Sequence, residues 1–169
     1  MRRSCVLLLP VVFAWAAFGE PRPVLTHADS LRRSDDCFDS GYAEYLPGNL
    51  DRALSLFDSS RAYNPLNSRA WHSVGATLAR LNRHDEAQQA FDEALRLRPD
   101  YVSAWWHRGC DNSVAGRADT ALSDLSHAIA LDSTVKSWPF SDDCWNPLLN
   151  DPRLLKITAP YTKEDAPRE

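Results

Sequence analysis

Between Ser68 and Tyr101, apolar and small side chains recur three and four positions apart, which is the spacing of one helical face. Trp71, Val74, Gly75 and Leu78 make one such stripe, and Ala87, Phe91 and Ala94 make a second. Polar and charged residues fill the positions between them. The pattern predicts two helices with a turn at Asn82-Arg83, the second closing at Pro99. Gly75, Ala87 and Ala94 are small where the partner helix must come close, while Trp71 and Phe91 fill the space left over. Two helices alone cannot bury both stripes, so neighbours of the same kind are expected.

The pattern recurs at the same period on either side, without gaps. Residues 102–135 place Trp105, Gly109, Ala121, Leu125 and Ala128 in the slots of Trp71, Gly75, Ala87, Phe91 and Ala94. Residues 34–67 place Cys37, Gly41, Ala53, Phe57, Ser60 and Pro65 in those slots and that of Pro99. Pro47-Gly48-Asn49 and Gly116 supply the other inter-helix breaks, and Asn64-Pro65 and Arg98-Pro99 end the second helices. The run W-x2-V-G-x2-L, then A-x3-F, then P, resembles the tetratricopeptide repeat, a helix–turn–helix unit of about 34 residues. The resemblance implies an all-α, right-handed α-solenoid of three repeats, 34–67, 68–101 and 102–135, whose first helices line a concave face. The first repeat is the least regular, as a terminal unit facing solvent is expected to be. In the third, Arg108 and Asn112 occupy usually apolar slots, which predicts looser packing of its first helix.

The flanks read differently. Met1-Arg2-Arg3, the apolar run Val6–Phe18 and small residues before Glu20 have the form of a signal peptide over 1–19, too short for a membrane-spanning helix. Retention as an uncleaved anchor is the other reading. Residues 20–33 form a Pro-broken linker with a helical lead-in through Leu25 and Leu31, and Ser34–Asp36 offers helix N-cap chemistry. Beyond Val135 the period dissolves into a C-terminal cap and tail, 136–169. Trp138, Phe140 and Trp145 read as buried anchors of a loop. Pro147-Leu148 through Asp151-Pro152-Arg153-Leu154 resembles a tail that follows tetratricopeptide arrays in bacterial proteins. There Asp151 caps a short helix, and Leu154, Leu155 and Ile157 cover the last repeat.

Charge and cysteines narrow the chemistry. The chain of 169 residues carries a formal charge of −4, and losing Arg2 and Arg3 with the leader makes it more acidic. No dense basic patch is present, so nucleic acid is not an expected partner. Cys5 leaves with the leader, so Cys37, Cys110 and Cys144 remain, an odd number for an oxidising compartment. Cys37 and Cys110 lie two repeats apart, beyond disulfide reach. Cys110 and Cys144 lie one period apart, also too far in a regular array, but Pro139 and Pro147 allow the last segment to fold back; the pairing stays open. His72, His107 and Cys110 are residue types that zinc accepts, but no H-x3-H or C-x2-C pair fixes a centre, and no metal or cofactor is expected. Signatures of hydrolases, phosphate-binding loops and zinc proteases are missing, so an enzyme is not expected.

By resemblance, such chains hold peptide segments of other proteins in the concave groove. The family's groove positions fall here on Phe38, Tyr42, Tyr45, Arg69, His72, Arg80, Trp106 and His107, with Cys110 and Val114 further along. The family's clamp for acidic chaperone tails needs Lys, Asn and Arg, where this chain has Phe38, Tyr42, Ser73, Ser103 and His107. That clamp is missing. The expected role is an exported adaptor, periplasmic or secreted, for a peptide of another envelope protein. The alternatives are a structural subunit that self-associates or fills its groove with its own tail, and a metal- or thiol-dependent envelope protein.

Overall fold

A computed structural model describes residues 26–160; the leader reading over 1–19 and the end of the tail lie outside the described residues. Six helices make three consecutive hairpins: α1 (His27–Tyr45) with α2 (Leu50–Tyr63), α3 (Ser68–Arg80) with α4 (His84–Leu97), and α5 (Val102–Val114) with α6 (Ala118–Leu131). Each hairpin packs on the next through α2 against α3 and α4 against α5, while α3 and α5 touch along the same layer. Among the described residues there is no helix long and apolar enough to cross a membrane.

Close approach inside each hairpin follows from the small-residue slots. A Cβ on Gly75 would lie 2.8 Å from the Phe91 ring, and one on Gly41 would lie 2.8 Å from Phe57. Only glycine lets the first helix sit on the aromatic of the second. The turns are equally regular. Gly48, Asn82 and Gly116 occupy one slot of the period, and all three are left-handed, at φ 91°, 58° and 76°. Asn82 serves there because asparagine tolerates that conformation better than most side chains. Between hairpins, Trp71 Nε1–H donates to the Pro65 carbonyl at 2.9 Å, and Trp105 Nε1–H donates to that of Pro99 at 2.8 Å. The large aromatic therefore ties α3 and α5 each to the proline that closed the preceding repeat.

Two expectations about the repeats themselves need correction. The first helix starts well before Ser34, because Thr26 and Asp29 form a capping box that nucleates it at His27. Ser34 is then an interior residue, buried with its hydroxyl 3.1 Å from that of Ser60. Nor do Arg108 and Asn112 loosen α5. Arg108 Nη2 and Nε donate to Asp124 at 2.6 and 3.1 Å, its Nη1 donates to Asp92, and Asn112 Nδ2 donates to Asp124 at 3.1 Å. A satisfied polar network replaces the apolar contact.

The cap covers the third hairpin with two short 3-10 helices, Ser133–Phe140 and Asp143–Leu148, and with α7 (Pro152–Thr158). The second 3-10 helix packs on α5, where a fourth repeat would sit. Trp145, Val135 and Leu154 are fully buried in this cluster, and Asp151 accepts from the Arg153 N–H to cap α7. Trp138 and Phe140 are only partly buried, and Leu155 faces solvent instead of the repeat, one position out of phase with Leu154. Cys110 and Cys144 are joined by a disulfide, their Cα atoms 5.3 Å apart. The tight turns draw residue 144 onto α5, closer than a helix at regular repeat spacing would bring it.

Candidate functional site: a concave groove with a histidine pair

The first helices α1, α3 and α5 line a concave surface that holds two adjoining cavities. One, of about 180 Å³, lies among Tyr42, Tyr45, Phe57, His72, Ala76 and His107. The other, also about 180 Å³, shares Tyr45, Ala76 and His107 and runs on to Ala79, Phe91, Asp111 and Val114. Alanines at 76 and 79 leave the floor of α3 open, and ring-bearing residues stand on either side. Of the lining residues, Tyr42 and Val114 are exposed, at 51% and 53%.

A pair of imidazoles sits at the centre. His107 Nδ1–H donates to the Ser103 carbonyl at 2.7 Å, and His72 Nε2 lies 3.0 Å from the same nitrogen. The Tyr101 hydroxyl is 3.5 Å from His72 Nδ1, and the Tyr101 ring packs against His72. Burial pushes the His72 pKa down to about 3, helped by His107 and Arg98 nearby. Burial also lowers that of His107, opposed by its bond to Ser103 and by Asp142. The pair is therefore neutral at pH 7. Cys110, the third ligand type weighed with these histidines, is held in the disulfide.

The sequence-derived groove residues separate into two groups. Tyr42, Tyr45, His72 and His107 line the first cavity, and Arg80 stands at the rim of the second. Arg80 Nη1 donates to the Tyr45 carbonyl at 3.1 Å, with its guanidinium 4.6 Å from the Tyr45 ring centre. Phe38 and Trp106 are corrections: both are core. Phe38 is buried against Phe57 beneath the Arg69 guanidinium, which is 4.4 Å from its ring centre. Trp106 is buried beneath Trp138 and Trp145, with ring centres 5.1 and 5.4 Å away. The cap covers the part of the groove wall that Trp106 would otherwise present.

Two site residues were missed, His84 and Asp111. Asp111 is buried, and its Oδ1 lies 2.6 Å from His84 Nδ1 at the start of α4. Both line the second cavity. Asp111 stands one residue past a family groove position, and its contact reaches across to another repeat, so no local spacing reveals it.

Comparison with known proteins settles the family. Residues 38–102 and 75–134 match the family model described as Tetratricopeptide repeat. The chain belongs to the tetratricopeptide repeat family. Among curated relatives, the peroxisomal targeting signal receptor of Saccharomyces cerevisiae is 33% identical over 90 residues, 49% of this chain and 15% of the receptor. Human tetratricopeptide repeat protein 7A is 29% identical over 96 residues, 57% of this chain and 11% of that protein. This tetratricopeptide chain thus spans only a small part of the relatives it matches. Among solved structures, the first tetratricopeptide domain of Spaghetti, bound to the HSP90 peptide SRMEEVD, superposes with a TM-score of 0.62 at 16% identity, covering 76% of this chain and 92% of that one. The Arabidopsis OM64 tetratricopeptide domain gives a TM-score of 0.61 at 19% identity, covering 69% of this chain and 91% of that one.

Proposed function

We propose that the chain is an exported adaptor whose concave groove holds a peptide segment of another envelope or secreted protein. The observation that carries this reading is the open pair of cavities between α1, α3 and α5, lined by rings and floored by alanines. Rings at a concave surface bury large area with little side-chain entropy to lose, so they serve as anchors for a partner. The Spaghetti domain, bound to a peptide in its solved structure, supports a peptide as the ligand class. The missing basic clamp argues against an acidic tail of that kind. Two features support export: the leader-like residues 1–19, and the Cys110–Cys144 bridge, which suits an oxidising compartment.

Mass spectrometry of chain recovered from the native host tests export; mature protein beginning near Glu20 in an extracytoplasmic fraction supports it, and full-length chain in the cytoplasm defeats it. Capture from an envelope extract, run in parallel with Tyr42→Ala, tests the groove. A partner retained by the unaltered chain and lost by the variant is the expected result. Light scattering of the purified chain is expected to give a monomer, whereas an obligate oligomer would favour the self-associating subunit.

A further inference from the structure

The Cys110–Cys144 bridge lies beside a carboxylate that the fold uses only in part. Asp142 Oδ1 accepts from the Cys144 N–H at 3.2 Å and so caps the second 3-10 helix. Its Oδ2 has no hydrogen bond among the described residues, and the side chain is exposed. The ligand atoms of Cys110, Asp142 and Cys144 all lie within 4.8 Å of one another. One ion can span such a set, since zinc bonds of about 2.0–2.3 Å put neighbouring ligand atoms about 3–4 Å apart.

Packing holds the two sulfurs together apart from the bond between them. Trp145, the residue after Cys144, is fully buried, and Leu148 on the same 3-10 helix is buried too. A Cβ on Gly109 would lie 3.3 Å from the Trp145 ring, so that ring is seated on α5 one residue from Cys110. Asp142 is tied to Cys144 by its cap. The three donors therefore stay neighbours when the bridge opens.

Their types choose the metal. Thiolates select zinc and other thiophilic ions, whereas magnesium and calcium take oxygen ligands. His72 and His107 stand outside this set: their facing nitrogens lie 3.0 Å apart, and His107 Nδ1 is bonded to the Ser103 carbonyl. Three protein ligands leave the fourth position of a tetrahedral ion to water.

We propose that the Cys110–Cys144 pair has a second state, in which the two reduced cysteines and Asp142 hold one zinc ion. The bridge and the metal exclude each other. A dithiol reductant opens the bridge by giving two electrons and two protons; the S–S bond becomes two thiols, and the reductant closes to its own disulfide. Zinc then displaces both thiol protons and binds the two thiolates and the carboxylate. Either state pins the cap to α5, so the cap stays fastened when redox conditions change.

The test uses the full chain carrying Cys5→Ser and Cys37→Ser, reduced with a phosphine, freed of it without air, and titrated with Co2+ as a spectroscopic substitute for zinc. A thiolate-to-cobalt charge-transfer band in the near ultraviolet, with the visible bands of a four-coordinate ion, is expected to saturate at one cobalt per chain and to vanish on adding Zn2+. The bridged chain is expected to show neither. Asp142→Asn, which keeps a capping side chain, is expected to bind at least about tenfold more weakly. Zn2+ should raise the melting temperature of the reduced chain and leave that of the bridged chain unchanged. Cobalt bound without the charge-transfer band, or bound equally by the bridged chain, overturns the site. Asp142→Asn binding as tightly as the unaltered carboxylate overturns the three-ligand assignment. The melts decide even if reduction loosens the cap, because metal held by unfolded thiols gives no rise in melting temperature, and that result also overturns the proposal.

Discussion

Where α3 crosses α4, a single methyl group decides whether the helices can touch. The ring of Phe91 stands 2.8 Å from where a Gly75 Cβ would be. Gly75→Ala is expected to lower stability by about 1–3 kcal/mol through overpacking. Ala76→Leu, one position round the helix and facing the cavities, is expected to stay within about 0.5 kcal/mol. Urea denaturation of both variants measures this, and the opposite order would mean that the helix faces are misassigned. The same scale shows what side-chain identity does not reveal. Trp106 and Tyr42 occupy comparable groove positions, yet the cap buries the first and leaves the second exposed. Trp106→Ala should therefore cost about 3–5 kcal/mol. Tyr42→Ala should leave the melt nearly unchanged while weakening peptide capture; equal effects of the two on the melt would contradict this division.

At the scale of elements, local signals were read well and long-range ones poorly. The hairpins were legible because their periodicity, small-residue slots and breakers all lie within one repeat. The Asp151-Pro152 start of α7 was legible for the same reason. The start of α1 was displaced because two cap signals compete, and Thr26 with Asp29 captures the helix upstream of Ser34. Where the cap lands could not be read, since its position depends on how tightly Ser133–Leu148 winds. The bridge between Cys110 and Cys144, 34 residues apart, fixes that landing. Cys144→Ser is expected to lower stability by about 2–4 kcal/mol, the usual contribution of closing a loop of this size. Thermal melts in the presence and absence of a reductant should reproduce the shift in the unaltered chain and show none in the variant.

For the molecule as a whole, the groove was legible in outline because solenoid geometry assigns faces by repeat position. Its charge chemistry was not, because the His72–His107 and His84–Asp111 contacts join residues from different helices. The histidine pair gives the fold a pH dependence. His72 is held near a pKa of about 3 and His107 is also lowered, against an ordinary value of 6.5. Above that value both are neutral whether folded or not, and their neutral pairing costs nothing. Below it the unfolded chain takes up protons that the folded chain refuses, so stability falls as acidity rises. The melting temperature is expected to drop between about pH 7 and pH 5, above the range where carboxylates titrate. A His72→Gln, His107→Gln double variant should flatten the slope; an unchanged slope would show that other groups carry it.

The bridge has a consequence for the order in which the array comes apart. Repeat stacks open from their ends, and here the ends are unequal. The last hairpin is pinned by Cys110–Cys144 and roofed by Trp145, whereas the first has Cys37 where its successors have a tryptophan tied to a proline carbonyl. Unzipping should therefore run one way, from α1 and α2 inward. Native-state hydrogen exchange is expected to find the amides of α2 opening at lower free energy than those of α6, and reduction of the bridge should erase much of that difference. Tyr42 and Tyr45 would then stand on the looser jaw of the groove and the histidine at 107 on the firmer one, so that a bound peptide, by joining the two, would act as the missing fastener of the first repeat.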